Sequence, residues 1–254
     1  MSKPHDHRSF FSYLGYQTGG DEYRCPDLGT INVSCRGDRA QLEELIAPTP
    51  LTLEGDVFVV TVADFSHVST GPYFDAGIIL PVSYEGTHGG HYRFEFEDQH
   101  WSTAAGRELW GYPQRYAKFD FEKDEKGARA SVRDYDTPIL SISVEFDDAV
   151  SDEAWTGIPF SPHLQVRGVP QAAGDSFEIL EVLMRHTSKD FQLTERRLGR
   201  GSVELGPVDI GSNVLGGRPL EVREVLGGEY LRTDFASTRE NGTPVLLGSL
   251  ATSR

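Results

Sequence analysis

Three histidines crowd one stretch, THGGHYRFEFEDQHW, and imidazoles so close together could hold a transition metal. His88, His91 and His100 do not have the HExxH spacing that sets two ligands on one helix face, however, and the Gly89-Gly90 pair predicts a turn between the first two. No metal site is expected. Cys25 and Cys35 are the only thiols, and their spacing fits neither a zinc ribbon nor a CxxC redox pair, so both read as structural. Amine nucleophiles are scarce. Lys3, Lys118, Lys123, Lys126 and Lys189 are the whole lysine complement, and an amine is the group that condenses with a carbonyl to form an iminium.

The elements that must position such groups are mostly strands. Period-two alternation or short β-branched and aromatic runs mark Ile31 to Cys35, Val57 to Val62, Ala76 to Val82, Tyr92 to Phe96, Phe119 to Phe121 and Ile139 to Phe146. EKDEKG with its Lys126-Gly127 pair predicts a hairpin tip between Phe119 and Val132. One clear helix is expected after Asp38, an N-cap, with Leu42, Leu45 and Ile46 on one face and Pro48 and Pro50 as its stop. A shorter helical turn is expected to open at Ser102 or Thr103. Phe177 to Met184 suits either period, and residues 237 to 254 read as polar and loosely held.

With 254 residues and 38% hydrophobic content, the chain can bury a sizeable core, and nothing marks an internal boundary, so a single domain over 1–254 is expected, its core about 20–236. The 39 acids against 24 Lys and Arg leave a net charge of -15, which repels phosphate backbones, and no basic stripe offsets it; nucleic acid is not an expected partner. No apolar run approaches the roughly eighteen residues of a membrane span, and MSKPHDHRSFFSY has no signal-like apolar core. The expectation is a cytoplasmic protein with no membrane contact.

Residues 106 to 118 read GRELWGYPQRYAK. This loop resembles the signature of the acetoacetate decarboxylases, in which a GREL-type turn and an aromatic-proline pair precede two lysines. The first lysine of that family forms a Schiff base, and the second lowers its pKa; the enzyme is the standard instance of a lysine activated by a cationic neighbour. INVSCRGDRAQLEELIAPTPLTLEG, LPVSYEG, FSPHLQVRGVP and GPVDIGSNVLGGRPLEVREVLGGEYL follow the family's order over about residues 20 to 236. The resemblance implies an α+β, strand-rich fold, a closed antiparallel sheet (barrel or cone) around an apolar cavity with a few short helices, assembled as a homo-oligomer.

The chain departs from the signature where it matters most. Gln114 and Arg115 stand where the family has its lysines, and a carboxamide nitrogen neither attacks a carbonyl nor titrates. The family's two pocket glutamates align with Val60 and Asp75, and its arginine falls at Leu28, with Arg24 and Arg36 nearby as substitutes. The resemblance then implies Gln114, Arg115 and Asp75 as catalytic residues: Arg115 clamping a carboxylate or enolate oxygen, Gln114 adding an amide hydrogen, and Asp75 acting as general acid or base. Trp110, Tyr112, Arg24, Tyr116 and Lys118 would bind substrate; if Gln114 begins a strand, Tyr116 and Lys118 share its face. The expected activity is lyase-type chemistry on a small oxo acid or related carbonyl compound (decarboxylation, dehydration or hydration, or retro-aldol cleavage) with no cofactor and no Schiff base. The alternatives are a non-catalytic carboxylate binder and a Schiff base displaced to Lys118.

Overall fold

The computed structural model describes residues 22–68, 71–155, 161–186, 191–209, 214–238 and 242–250. Its strands are β1 (Glu22–Gly37), β2 (Thr52–Leu53), β3 (Val57–Phe65), β4 (Tyr73–Tyr84), β5 (Thr87–Glu97), β6 (Gln114–Tyr116), β7 (Lys118–Lys123), β8 (Gly127–Asp134), β9 (Thr137–Phe146), β10 (His163–Pro170), β11 (Phe177–Arg185), β12 (Phe191–Leu205), β13 (Val222–Thr238) and β14 (Val245–Ser249). They form one sheet in the order β14-β11-β10-β5-β4-β3-β1-β13-β12-β9-β8-β7, with β2 added on β4 and β6 on β5.

The expected closed antiparallel sheet is corrected in two respects. The path ends at β14 and β7 without joining, and β5 pairs in parallel with both β10 and β6. At one open end, β7 carries Lys118, Asp120 and Glu122 along a free edge, charges that oppose further strand pairing. The cavity side of the sheet is covered instead by α2 (His100–Ala105) and the wide π-type turn Gly106–Trp110 that continues it.

Local chemistry explains the helix and the hairpin. α1 (Arg39–Ile46) starts where the Asp38 carboxylate accepts the Gln41 N–H at 2.9 Å, and it buries Leu42, Leu45 and Ile46 together with Gln41. Gln41 bridges to the Pro219 carbonyl and the Glu221 N–H. In the β7–β8 hairpin, Asp124 accepts the N–H groups of Lys126 and Gly127 and closes the turn. The ambiguous Phe177–Met184 segment is a strand, and the carboxyl-side residues expected to be loose include β14, which pairs with β11; 239–241 and 251–254 lie outside the described residues.

Alternation divides the central strands into two faces. Ile31, Val33, Val60, Val62, Ala76, Ile78, Phe94 and Phe96 join the main apolar core. The residues between them, Thr30, Asn32, Thr61, Ala63, Asp75, Glu95 and Glu97, line a cavity of about 610 Å³. A bulge between Ile78 and Ile79, with Arg93 as the extra residue opposite, resets the parity of β5, so that Tyr92 joins the cavity face. Gly77 makes room there, since a Cβ would strike the Tyr92 ring.

Candidate active site

Gln114 is 5% exposed and aims into the cavity. The loop before it is shaped to allow this. Gly111 turns the chain with φ at 76°, against the backbone of Arg167, where a side chain would be both strained and obstructed. The Tyr112 N–H returns to the Gly106 carbonyl, and Arg107 donates to the Gln114 carbonyl at 3.1 Å. Gly106 lies directly against the Gln114 carboxamide, and any Cβ there would overlap it. The glycine of the GREL turn is thus a space requirement of the side chain eight residues later.

The Gln114 amide donates to Glu97 Oε1 at 2.7 Å and to Glu95 Oε1 at 3.2 Å. Register explains the meeting: Glu95 pairs with Gln114 across β5–β6, and Glu97 pairs with Asp75 across β4–β5. Asp75 hydrogen-bonds to both glutamates, and two carboxyls can bond to one another only by holding protons. Burial, first, and mutual repulsion push Glu95 and Glu97 well above the usual carboxylate range. Burial raises Asp75 to about 7, while the hydrogen bonds from the glutamates oppose that rise. A cation at position 114 would keep such carboxyls ionised; a neutral amide leaves them protonated.

Around this cluster stand the tyrosines. Tyr23 donates to Tyr73 at 2.6 Å, and Tyr112 meets His163 Nδ1 at 2.7 Å, with the Tyr92 ring edge-on to both Tyr112 and His163. Burial pushes the phenols of Tyr23, Tyr73, Tyr92 and Tyr112 up, so all four stay neutral donors. Two arginines line the cavity, Arg196 paired with Glu229 and Arg185 at the end of β11. Arg185 is the one in contact with the residues of the signature loop. It lies 4.9 Å over the Trp110 ring, hydrogen-bonds to Ser237 and Tyr112, and lines the same space.

The residues expected to act together are only partly brought together. Gln114, Asp75, Tyr112 and Trp110 line the cavity. Arg115 does not: one residue along a strand from Gln114 it must face the other way, and it sits half-buried near Arg107, Arg93, Asp209 and Asp134. Tyr116 returns to the parity of Gln114, but β6 has ended, and Tyr116 is 45% exposed and stacked on His100. Buried Ala117 then bends the chain into β7, so Lys118 is exposed and does not share the cavity face as expected. Among the described residues no lysine lines the cavity. Arg24 is exposed because its neighbours Tyr23 and Cys25 take the buried face, and Arg36 pairs with Asp56. Val60 belongs to the apolar core, and Leu28, at the family's arginine position, lines the cavity as a hydrophobe.

The alignment that left one surviving acid is corrected: three are present. Glu95 and Glu97, a carboxylate pair at i and i+2 in RFEFEDQ, were legible as acids on one face of an otherwise buried strand. Arg185 and His163 carried no comparable signal. The three carboxyls each offer an oxygen within 4.8 Å of the others, hard donors of the kind that magnesium or manganese takes. The same carboxyls hold protons when no cation is near, because burial raises all three. The histidines separate, with buried His91 against the Leu164 carbonyl, His88 exposed near Glu54, and His100 on Tyr116. Both cysteines are buried free thiols.

A strand-rich sheet folded over a buried, proton-holding acid cluster defines the class of protein. The chain belongs to the acetoacetate decarboxylase family, whose model matches residues 14–244. The acetoacetate decarboxylase of Acidiphilium cryptum is 33% identical over 99 residues, 38% of this chain and 39% of that protein. That of Burkholderia cenocepacia is 34% identical over 96 residues, 37% of this chain and 39% of that one. The chain thus spans about two fifths of the length of these curated relatives. Among solved structures, the acetoacetate decarboxylase of Legionella pneumophila superimposes with a TM-score of 0.75 at 20% identity, covering 90% of this chain and 88% of that one. The enduracididine biosynthesis enzyme MppR, complexed with pyruvate, gives 0.69 at 13% identity, covering 91% of each chain. These likenesses establish the fold. Among the described residues no helix is long and apolar enough to cross a membrane.

Proposed function

We propose that this chain is a lyase-type enzyme that acts on a small oxo acid through an enolate, with no covalent bond to the protein. The observation that carries the reading is the cluster of Asp75, Glu95, Glu97 and Gln114 in one cavity, where no described lysine is available to form an iminium. Arg185, rather than Arg115, is the group that holds the substrate carboxylate, its guanidinium fixed by Trp110, Ser237 and Tyr112. With substrate bound, the protons of Glu95 and Glu97 turn from Asp75 to the carbonyl oxygen as it gains negative charge, which is where placed donors accelerate most. Asp75, held near 7, is half-ionised at neutral pH, the condition in which one carboxyl both takes and returns a proton.

In a retro-aldol step, Asp75 removes the proton of the β-hydroxyl, the carbon–carbon bond breaks, its electron pair becomes the enolate, and the same proton is returned to carbon. In a decarboxylation, which requires a 3-oxo acid, carbon dioxide leaves, the electron pair of the broken carbon–carbon bond becomes the enolate, and a proton from the cluster is added to carbon to complete the product. The solved complex of MppR with pyruvate supports a 2-oxo acid as the bound group.

The test is incubation with a panel of 2-oxo, 3-oxo and β-hydroxy oxo acids followed by NMR. At least one compound is consumed, and Glu95→Gln slows its consumption by about two orders of magnitude. Thermal stabilisation by the panel without any consumption would instead favour a carboxylate carrier on the same fold.

A further inference from the structure

The cavity is far larger than the reaction needs. Its volume of about 610 Å³ falls in the range of sites that take a drug-sized ligand, well beyond a three- or four-carbon oxo acid. It also has a second polar end. One transverse row of the sheet runs Glu229, Asn32, Thr61, Gly77, Glu95, Gln114, each paired with the next across β13, β1, β3, β4, β5 and β6. With strands about 4.8 Å apart, Thr61 lies roughly 10 Å from Glu95 and Asn32 roughly 14 Å. Gly77 between them contributes no side chain of its own and is covered by the Tyr92 ring, so an aromatic strip separates the two polar ends of the one cavity.

At the far end the hydrogen-bond account is incomplete in a particular way. Glu229 is fully engaged: Asn32 donates to one oxygen at 3.0 Å, and Arg196 to the other at 2.8 Å. Asn32 and Thr61 are 8% and 5% exposed, yet the Asn32 Oδ1 and the Thr61 hydroxyl bond to none of the described residues and face the cavity. Polar atoms on a cavity wall are met by whatever occupies the cavity, and an occupant that meets both of these presents a hydrogen to Asn32 and either half of a bond to Thr61. An anion is disfavoured beside Glu229, whose arginine is already committed. A hydroxyl fits both.

We infer that Asn32 and Thr61 form a specificity subsite for a hydroxyl carried about six carbons from the reacting carbonyl, so that the substrate is an extended hydroxylated oxo acid. The inference rests on the reading of the cluster at Glu95 and Gln114 as the reactive end. The probes are 2-oxooctanoate and 8-hydroxy-2-oxooctanoate, their dissociation constants measured by calorimetry on the full chain. The hydroxylated probe binds about tenfold tighter, the worth of one or two neutral hydrogen bonds. Thr61→Val reduces that ratio toward one while leaving 2-oxooctanoate unchanged, and Thr61→Ser, which keeps the hydroxyl, retains it. Equal affinity of the two probes for the wild type, no binding of either, or a ratio that survives Thr61→Val overturns the subsite. A preference with no turnover of any oxo acid keeps the subsite and removes the enzymatic reading instead.

Discussion

The two faces of strands β3, β4 and β5 are built from neighbouring residues and obey opposite rules. On one face Val62, Ile78 and Phe94 pack into a continuous apolar core, each contact adding to stability. On the other, Glu95 and Glu97 are buried just as deeply and Asp75 partly so, and every one of them costs free energy unless it keeps a proton or a partner. Gln114 Oε1 is buried with no hydrogen-bond partner among the described residues, and Glu95 Oε2 and Glu97 Oε2 are met by no donor N–H there. The first face holds the molecule together. The second is maintained against its own physics, which points to function more strongly than the identity of any one residue.

The contrast is most sharply tested by trading residues across it. Ile78→Ala leaves a void in the core, and denaturant unfolding is expected to show a loss of about 2–5 kcal/mol. On the adjacent strand Glu95→Gln, of the same shape and neutral, removes a buried acid; it should leave stability equal or higher while turnover falls about a hundredfold. If Glu95→Gln destabilised the fold as Ile78→Ala does, the cluster would be structural. Arg185→Ala should lower turnover by a similar factor and raise KM for carboxylates, because the other arginine of the lining, Arg196, is paired with Glu229.

The same alternation decides how much could be read beforehand. The strand-rich class, the Asp38-capped helix and the β7–β8 hairpin follow from local periodicity and turn chemistry, and each lies where those rules put it. Gln114 was legible because its loop carries a recognisable pattern. Arg115 was misjudged because a chemically attractive residue was followed without its parity, although a strand that turns residue 114 inward must turn 115 outward. Lys118 had the right parity and was misjudged because Ala117 breaks the strand before it. Glu95 and Glu97 had parity and composition in their favour and were passed over. Arg185 and His163 reach the cavity only through the register of β10 and β11 with each other and of β10 with β5, long-range pairings that no local pattern encodes. The open sheet follows from those same pairings.

A gentler perturbation is pH. Asp75 titrates near 7 in the folded chain and in the ordinary carboxylate range when unfolded, and the two glutamates are raised as well. Between those limits the native state holds protons that the unfolded chain has released, so stability falls as pH rises through 7. Buried His91, lowered to about 4, acts in the opposite sense, but only below its ordinary value of 6.5. Thermal scans from pH 6.5 to 8 therefore isolate the acids. The melting temperature is expected to drop by several degrees, with a shallower slope in Glu95→Gln; a flat profile would mean that the cluster is already ionised. Turnover should climb over the same interval as Asp75 becomes a base.

The smallest expected effect is the one most able to separate the two faces. Arg115 and Arg185 are both arginines near the signature loop, and residue type alone recommends the first. Arg115 lies outside the cavity lining, its charge opposed by Arg107 and compensated by Asp209 and Asp134. Arg115→Ala therefore removes a half-buried stem and a locally balanced charge, worth about 1 kcal/mol of stability or less, and should change turnover by no more than about twofold. Steady-state kinetics on both alanine variants under one set of conditions compare them directly. A hundredfold loss in Arg115→Ala with near-normal turnover in Arg185→Ala would mean that the working surface is the other side of β6, and the cavity cluster would lose its assigned role. The reverse pattern would show that a single step along one short strand separates a residue that does chemistry from one that does not.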